Sequence, residues 1–227
     1  MMNSLFLLIH IIAGSLAIIA GFAALLPRKG TKWHKVIGDV FFYSMLVMAG
    51  TASYLAVFSS HEPINFMVGL FTIYLIVTSK LAAKDNRGGM SIYVKVLCGI
   101  SILIFAGYVL LLIKAEKSGE AMMDGVYVEA YYVFALLSFI AAMLDVKVVV
   151  KGGVKGKQRL VRHLWRMLLA MFIATTSLVY GQAQVFPDFI QNSGVLDFLV
   201  VMILLSLGYW IIKIYAPRKV TQLMRKS

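Results

Sequence analysis

Seven apolar runs dominate this chain, and each is long enough to cross a lipid bilayer. They cover 5–26, 36–58, 66–83, 96–113, 126–144, 163–186 and 195–215, with lengths of 22, 23, 18, 18, 19, 24 and 21 residues. A hydrocarbon layer of about 30 Å takes about 20 apolar residues as helix, and a helix satisfies its own backbone hydrogen bonds in lipid. Runs of this length, joined by short polar connections, predict an all-α bundle of seven transmembrane helices that forms one integral membrane domain over 1–227. All four prolines, Pro27, Pro63, Pro187 and Pro217, fall between the runs, where helix punctuation places them. Of the 227 residues, 61% are hydrophobic and 14% charged, against about 45–50% and about 25% in soluble domains.

The net charge of +12 is carried unevenly. Twenty of the 22 Lys and Arg residues belong to alternate connections: Arg28 to Lys35, Lys80 to Lys95, Lys147 to Arg166, and the C-terminal end from Lys213. Only Lys114 and Lys117 serve the other side. Cations resist translocation, so the expected orientation has the N-terminus outside and the C-terminus cytoplasmic, with Trp33, Trp165 and Trp210 near the inner boundary. The basic connections point to anionic lipid headgroups as partner, and not to nucleic acid. The loop Lys151–Lys157 (KGGVKGK) lacks the spacing of a phosphate-binding loop. The first run has no basic n-region and exceeds the apolar core of a signal peptide, so it is expected to be retained. The single Cys98 allows no internal disulfide.

Polar side chains at membrane depth are the natural functional candidates. They fall into two layers. Toward the outer face lie His10, Glu129, Asp197, Gln182 and Gln184; toward the inner face lie His34, Asp39, Lys80, Asp145, His163, Arg166 and Lys213. In the sixth run, His163, Arg166, Ala170, Ala174, Ser177, Gly181 and Gln184 recur at steps of three and four, which predicts one stripe. The stripe is either a packing seam of small residues or one wall of a polar pocket. His10, Gly14, Ala17 and Gly21 repeat the pattern in the first run, and Asp39 is expected to pair with Arg166 or Lys80. Helices one, two, five and six are expected to bring these faces together, and a parallel internal repeat with helix four as connector fits the alternation.

Histidines at one level can share a ligand, and those at different levels cannot. His10 is about 24 Å of helix from the inner end of the first run, so it cannot share a site with His34. His34 and His163, both at the inner boundary, can face each other as an axial pair for haem b, with Arg166 near a propionate. His10 and His61 form a conceivable outer pair. No HExxH or CxxC zinc signature occurs, and no metal site is expected.

The segment Arg28-Lys29-Gly30-Thr31-Lys32-Trp33-His34-Lys35-Val36-Ile37-Gly38, together with His10 and with Arg162-His163-Leu164-Trp165-Arg166-Met167, resembles the bacterial DUF2306-type predicted membrane proteins. Lys35 stands where that pattern has arginine. The resemblance implies a multi-pass membrane fold and marks His10, His34 and His163 for joint testing; it implies no activity. A looser likeness is to b-type membrane cytochromes of the ferric-reductase kind, which hold haem between helices through histidine pairs.

Three functions follow as expectations. The first is a haem-binding or quinone-linked redox protein using His34 and His163, with a membrane redox partner or a second copy of itself. The second is a small-solute or proton-coupled transporter with His10, Glu129 and Asp197 as an outer gate. The third is a non-catalytic lipid-binding or assembly subunit. An intramembrane hydrolase ranks below these, because no nucleophile and base share helical spacing.

Overall fold

The computed structural model describes residues 2–84 and 90–216. Met1, Arg87, Pro217, Arg218, Lys219, Arg225 and Lys226, which entered the sequence reading, lie outside the described residues. The elements are α1 (Met2–Leu25), α2 (Lys32–Leu55) ending in a π turn (Ala56–Ser60), α3 (Pro63–Lys84), α4 (Ile92–Ser118), a hairpin β1 (Met122–Met123) and β2 (Val126–Tyr127), α5 (Val128–Val150), α6 (Gly156–Gly181), a 3-10 turn (Ala183–Val185), the short α7 (Asp188–Gln191) and α8 (Val195–Tyr215). Among the described residues, seven helices are long and apolar enough to cross a membrane, as expected.

Local chemistry sets the ends of these helices. Thr31 caps α2 by accepting the His34 N–H at 3.3 Å, so the helix starts before its apolar run. Ser91 caps α4 in the same way, and Gly119 in the left-handed region (φ 68°) ends it. Lys114 and Lys117 therefore extend α4 as helix and do not lie in a loop. Asp124 and Gly125 both have positive φ, 53° and 75°, as a two-residue Asp-Gly hairpin requires. Tyr131 pins that hairpin by donating to the Met123 carbonyl at 3.0 Å.

The packing differs from the expected convergence of helices one, two, five and six. The centre is α3, which packs against α2, α4 and α6; α1 lies along α2, α5 along α4, and α8 along α6. The buried face of α3 includes Thr72, Tyr74, Thr78 and Ser79. It can be buried because hydroxyls such as that of Thr78, which donates to the Tyr74 carbonyl at 2.6 Å, find partners on their own helix. The internal repeat is not realised either: α1 packs along α2, whereas α5 packs along α4 and meets α6 through the ion pairs of Asp145.

Small residues let the helices approach closely. Ala17 on α1 is fully buried. A Cβ on Gly21 would come within 2.9 Å of Met171 Sδ. At the crossing of α2 and α3, a Cβ on Gly69 would overlap Ser53 Oγ and lie 2.8 Å from the Ala49 carbonyl. At Gly69 one helix meets the backbone of the other, whereas at Gly21 the neighbours are the side chains of Met171 and Phe41.

Candidate functional site

The polar residues collect at the lysine-rich end of the bundle, where α3, α5 and α6 meet. Asp145 on α5 is wholly buried and accepts three interactions. The Tyr74 hydroxyl of α3 donates to one oxygen. Arg166 donates to the other, and Arg162 Nη2 of α6 lies 2.8 Å from that same oxygen. Arg166 is itself 0% exposed, with its Cζ 5.1 Å from both the Tyr74 and Trp165 ring centroids. Such stacking suits a planar guanidinium. Two cations thus share one carboxylate at membrane depth, where an uncompensated charge is expensive. The Nε and Nη1 of Arg166 find no hydrogen-bond acceptor among the described residues.

One helical turn toward the end of the bundle, α6 presents His163. The Ser79 hydroxyl donates to the His163 carbonyl at 2.7 Å, and His163 Nδ1 lies 2.9 Å from Ser79 Oγ and 3.1 Å from the Ser79 carbonyl. With the serine hydrogen so engaged, the hydrogen-bond network assigns a proton to Nδ1 and leaves Nε2 as a lone pair. His34 repeats the pattern, its Nδ1 donating to the Ala24 carbonyl of α1 at 3.1 Å. A carbonyl can only accept, so His34 also keeps Nε2 unprotonated when neutral. His163 lies within electrostatic range of His34, Lys29 and Lys80.

Lysines surround the histidines. Lys80 pairs with Asp39, one of the two partners expected for that aspartate, while Arg166 takes Asp145. Lys29, in the connection between α1 and α2, donates to the last carbonyls of α1, Ala24 at 2.8 Å and Leu25 at 3.1 Å, a favourable place for a cation. Burial and then the nearby Lys213 pull its pKa down to about 8. The Trp210 ring has Lys29 and Lys213 each 4.8 Å from its centroid.

The outer candidates do not gather. His10 Nδ1 donates to the Met48 carbonyl of α2 at 2.9 Å, fourteen residues and about 21 Å of helix beyond His34. It therefore cannot join His34 in one cofactor set. His61 is exposed, in the left-handed region at the end of the π turn, about 15 Å of helix past Thr51, the other contact of His10; the outer histidine pair does not form. Asp197 accepts from Tyr180 at 2.8 Å, and Glu129 is exposed on α5. No contact among the described residues joins His10, Glu129 and Asp197 as a gate.

The predicted stripe on α6 is buried at Arg166, Ala170 and Ala174 and then fails. Ser177 is exposed, and the buried positions become Thr175 and Val179. Gln182 and Gln184 lie past the end of the helix at Gly181 and bond to each other at 2.9 Å. The expected steps average 3.5 residues, so the stripe slides around a straight helix by about 20° per seven residues. Tyr74, Ser79 and Arg162 were absent from the expected site, and Asp145 was noted only as an inner-face charge. Among the described residues no three His, Cys, Asp or Glu side chains converge as a metal-holding group.

Comparisons with known proteins bear on this arrangement. No curated protein and no solved structure matches the chain. Residues 7–150 match the family described as predicted membrane protein, DUF2306. The matched segment holds His10, His34, Asp39, Tyr74, Ser79 and Asp145, and stops before Arg162, His163 and Arg166 on α6. With well over half of its length so matched, the chain belongs to the DUF2306 family of membrane proteins.

Proposed function

We propose that this integral membrane protein binds haem b at its lysine-rich end, with His34 and His163 as the axial pair, and serves membrane redox chemistry linked to a quinone or a redox partner. The observation that carries the reading is the matched state of the two imidazoles. Each donates Nδ1–H to a protein oxygen and keeps Nε2 free, the second-sphere arrangement that orients a ligating histidine and raises its basicity. The donor chemistry fits: a bis-histidine iron needs two imidazole nitrogens, and His34 on α2 and His163 on α6 offer one each at the lysine-rich end. Lys29 and Lys80 add positive charge suited to a cofactor carrying carboxylates. When bound, haem would supply one-electron transfer. The residues of the chain fix the ring planes through Ala24 and Ser79.

The test is an absorption spectrum of the detergent-purified protein after expression with haem supplied. A Soret band in the wild type, lost in both H34A and H163A and kept in H10A, is the expected result. A wild type that folds and shows no Soret band, or a band that survives both H34A and H163A, overturns the reading. The lysine-rich end is then expected on the cytoplasmic side of a bacterial inner membrane, which cysteine labelling at Lys32 and Lys155 checks.

A further inference from the structure

Deeper than the histidines, the network around Asp145 is unbalanced in charge and in hydrogen bonds. Arg162 and Arg166 bring two positive charges to one carboxylate. Arg166 is fully enclosed, and two of its donor nitrogens, Nε and Nη1, have no acceptor among the described residues. Tyr74 and Trp165 stack against the guanidinium, and its Nε and Nη1 edge is enclosed and without a partner among the described residues. Unpaired donors on an enclosed cation are costly, and helices that needed only mutual adhesion could use a single arginine, or none. The missing component is an acceptor with a negative charge.

We propose that Arg166, assisted by Arg162, forms an anion site inside the bundle, which takes one oxyanion group, a carboxylate or a phosphate. An oxygen acceptor at the Nε or Nη1 edge would complete the donor set of Arg166. One negative charge there would bring Asp145, the two arginines and the ligand to neutrality. Guanidinium groups favour this class of ligand because their planar forks match the spacing of oxygens on carboxylate and phosphate. Tyr74 and Trp165 hold the fork in place before the ligand arrives, which lowers the ordering cost of binding. The site uses neither histidine and stands independently of the haem reading. The oxyanion could belong to a free metabolite, a lipid headgroup or a cofactor side chain, and these sources are separable.

The test follows thermal unfolding of the full-length protein, purified in an uncharged detergent in chloride. Sodium acetate or inorganic phosphate is added at constant ionic strength. In parallel, protein is placed in phosphatidylglycerol or in phosphatidylcholine nanodiscs, and a haem-loaded preparation is compared with an unloaded one. Ligand at about a hundredfold excess over Kd should raise Tm by about 5 °C or more. A rise with acetate or phosphate indicates a free anion, a rise only in phosphatidylglycerol a headgroup, and a rise on haem loading, diminished in R166Q while the Soret band stays, a cofactor carboxylate. Each supports the site, whereas a rise on haem loading that R166Q leaves unchanged counts against it. The rise should vanish in R166Q and shrink in R162Q, whose position one turn nearer the lysine-rich end and partial exposure make it the second variant if R166Q fails to fold. No rise with any probe beyond the chloride control, or a rise of equal size in R162Q and R166Q, overturns the proposal.

Discussion

Replacing Asp145 by asparagine keeps the shape of the side chain and removes its charge. The aspartate accepts from Tyr74, Arg162 and Arg166, and it is wholly buried. Asparagine can keep its carbonyl oxygen toward the two guanidinium groups and turn its amide to the Tyr74 hydroxyl, which can accept, but it brings no negative charge to them. Removing one partner from a buried ion pair costs about 3–5 kcal/mol, because the other partner stays behind uncompensated. Here two cations stay behind, so the upper part of that range is expected. In a chain of this size about 1 kcal/mol moves Tm by about 2–4 °C, so D145N should unfold about 10 °C or more below the wild type. The double variant D145N/R166Q removes one of the two stranded charges along with its partner and leaves Arg162. It should therefore recover part of the loss, with a coupling of about 1–3 kcal/mol in the double-mutant cycle. Circular dichroism melting in one detergent, at one pH, measures all four proteins. If D145N melts within about 2 °C of the wild type, or if the double variant loses the sum of the two single losses, the reasoning about the buried network is wrong.

Other outcomes follow from single residues. G69A should cost about 1–3 kcal/mol, since the added methyl meets the Ala49 carbonyl at 2.8 Å and α2 and α3 must part; G99A, with open space around it, should be neutral or slightly stabilising. A G69A protein that melts with G99A would refute the close crossing. D39N should cost under about 1 kcal/mol, because the aspartate side chain is 54% exposed and such pairs are screened. Lys29 has a folded pKa of about 8 against the usual 10.5. Between about pH 8 and 10.5 the unfolded chain holds a proton there that the folded chain lacks, so stability should rise with pH across that window. The rise should be smaller in K29Q. At pH 8 the neutral fraction of Lys29 exceeds that of an ordinary lysine by on the order of a hundredfold, and acetylation mapped by mass spectrometry should favour it over Lys32.

The spans were legible because lipid imposes a length and a composition, and all seven helices lie where apolar runs put them. Their ends were less so, since they depend on capping by Thr31 and Ser91 and on the helical extension through Lys114 and Lys117. The pairing of Asp39 with Lys80 could be foreseen from their shared level. The centre of the bundle could not. Its cue was the polar face of α3, with Thr72, Tyr74, Thr78 and Ser79 inside an apolar run; those residues are individually ordinary, and only tertiary packing tells a buried hydroxyl from a lipid-facing one. Asp145 was visible as a lone acid near the end of the fifth run. Its partners required knowing that α3 and α6 flank it, a fact that no spacing within α5 carries.

The clasp at Asp145 also bears on how the chain is made. During synthesis α5 enters the insertion machinery with its carboxylate while Arg166 lies 21 residues behind it, still in the ribosome or its exit path. A bare aspartate costs about 2.5–3.5 kcal/mol at a helix centre on the insertion scale and less toward a helix end, where Asp145 lies, and the Tyr74 hydroxyl already in place offsets part of that penalty. The fifth helix therefore meets its two cationic partners only once the sixth has followed it, and a nascent chain halted after Val150 should hold its end at the lysine-rich side less firmly than one that includes α6. The order of translation, and not only the final contact map, is written into that one carboxylate.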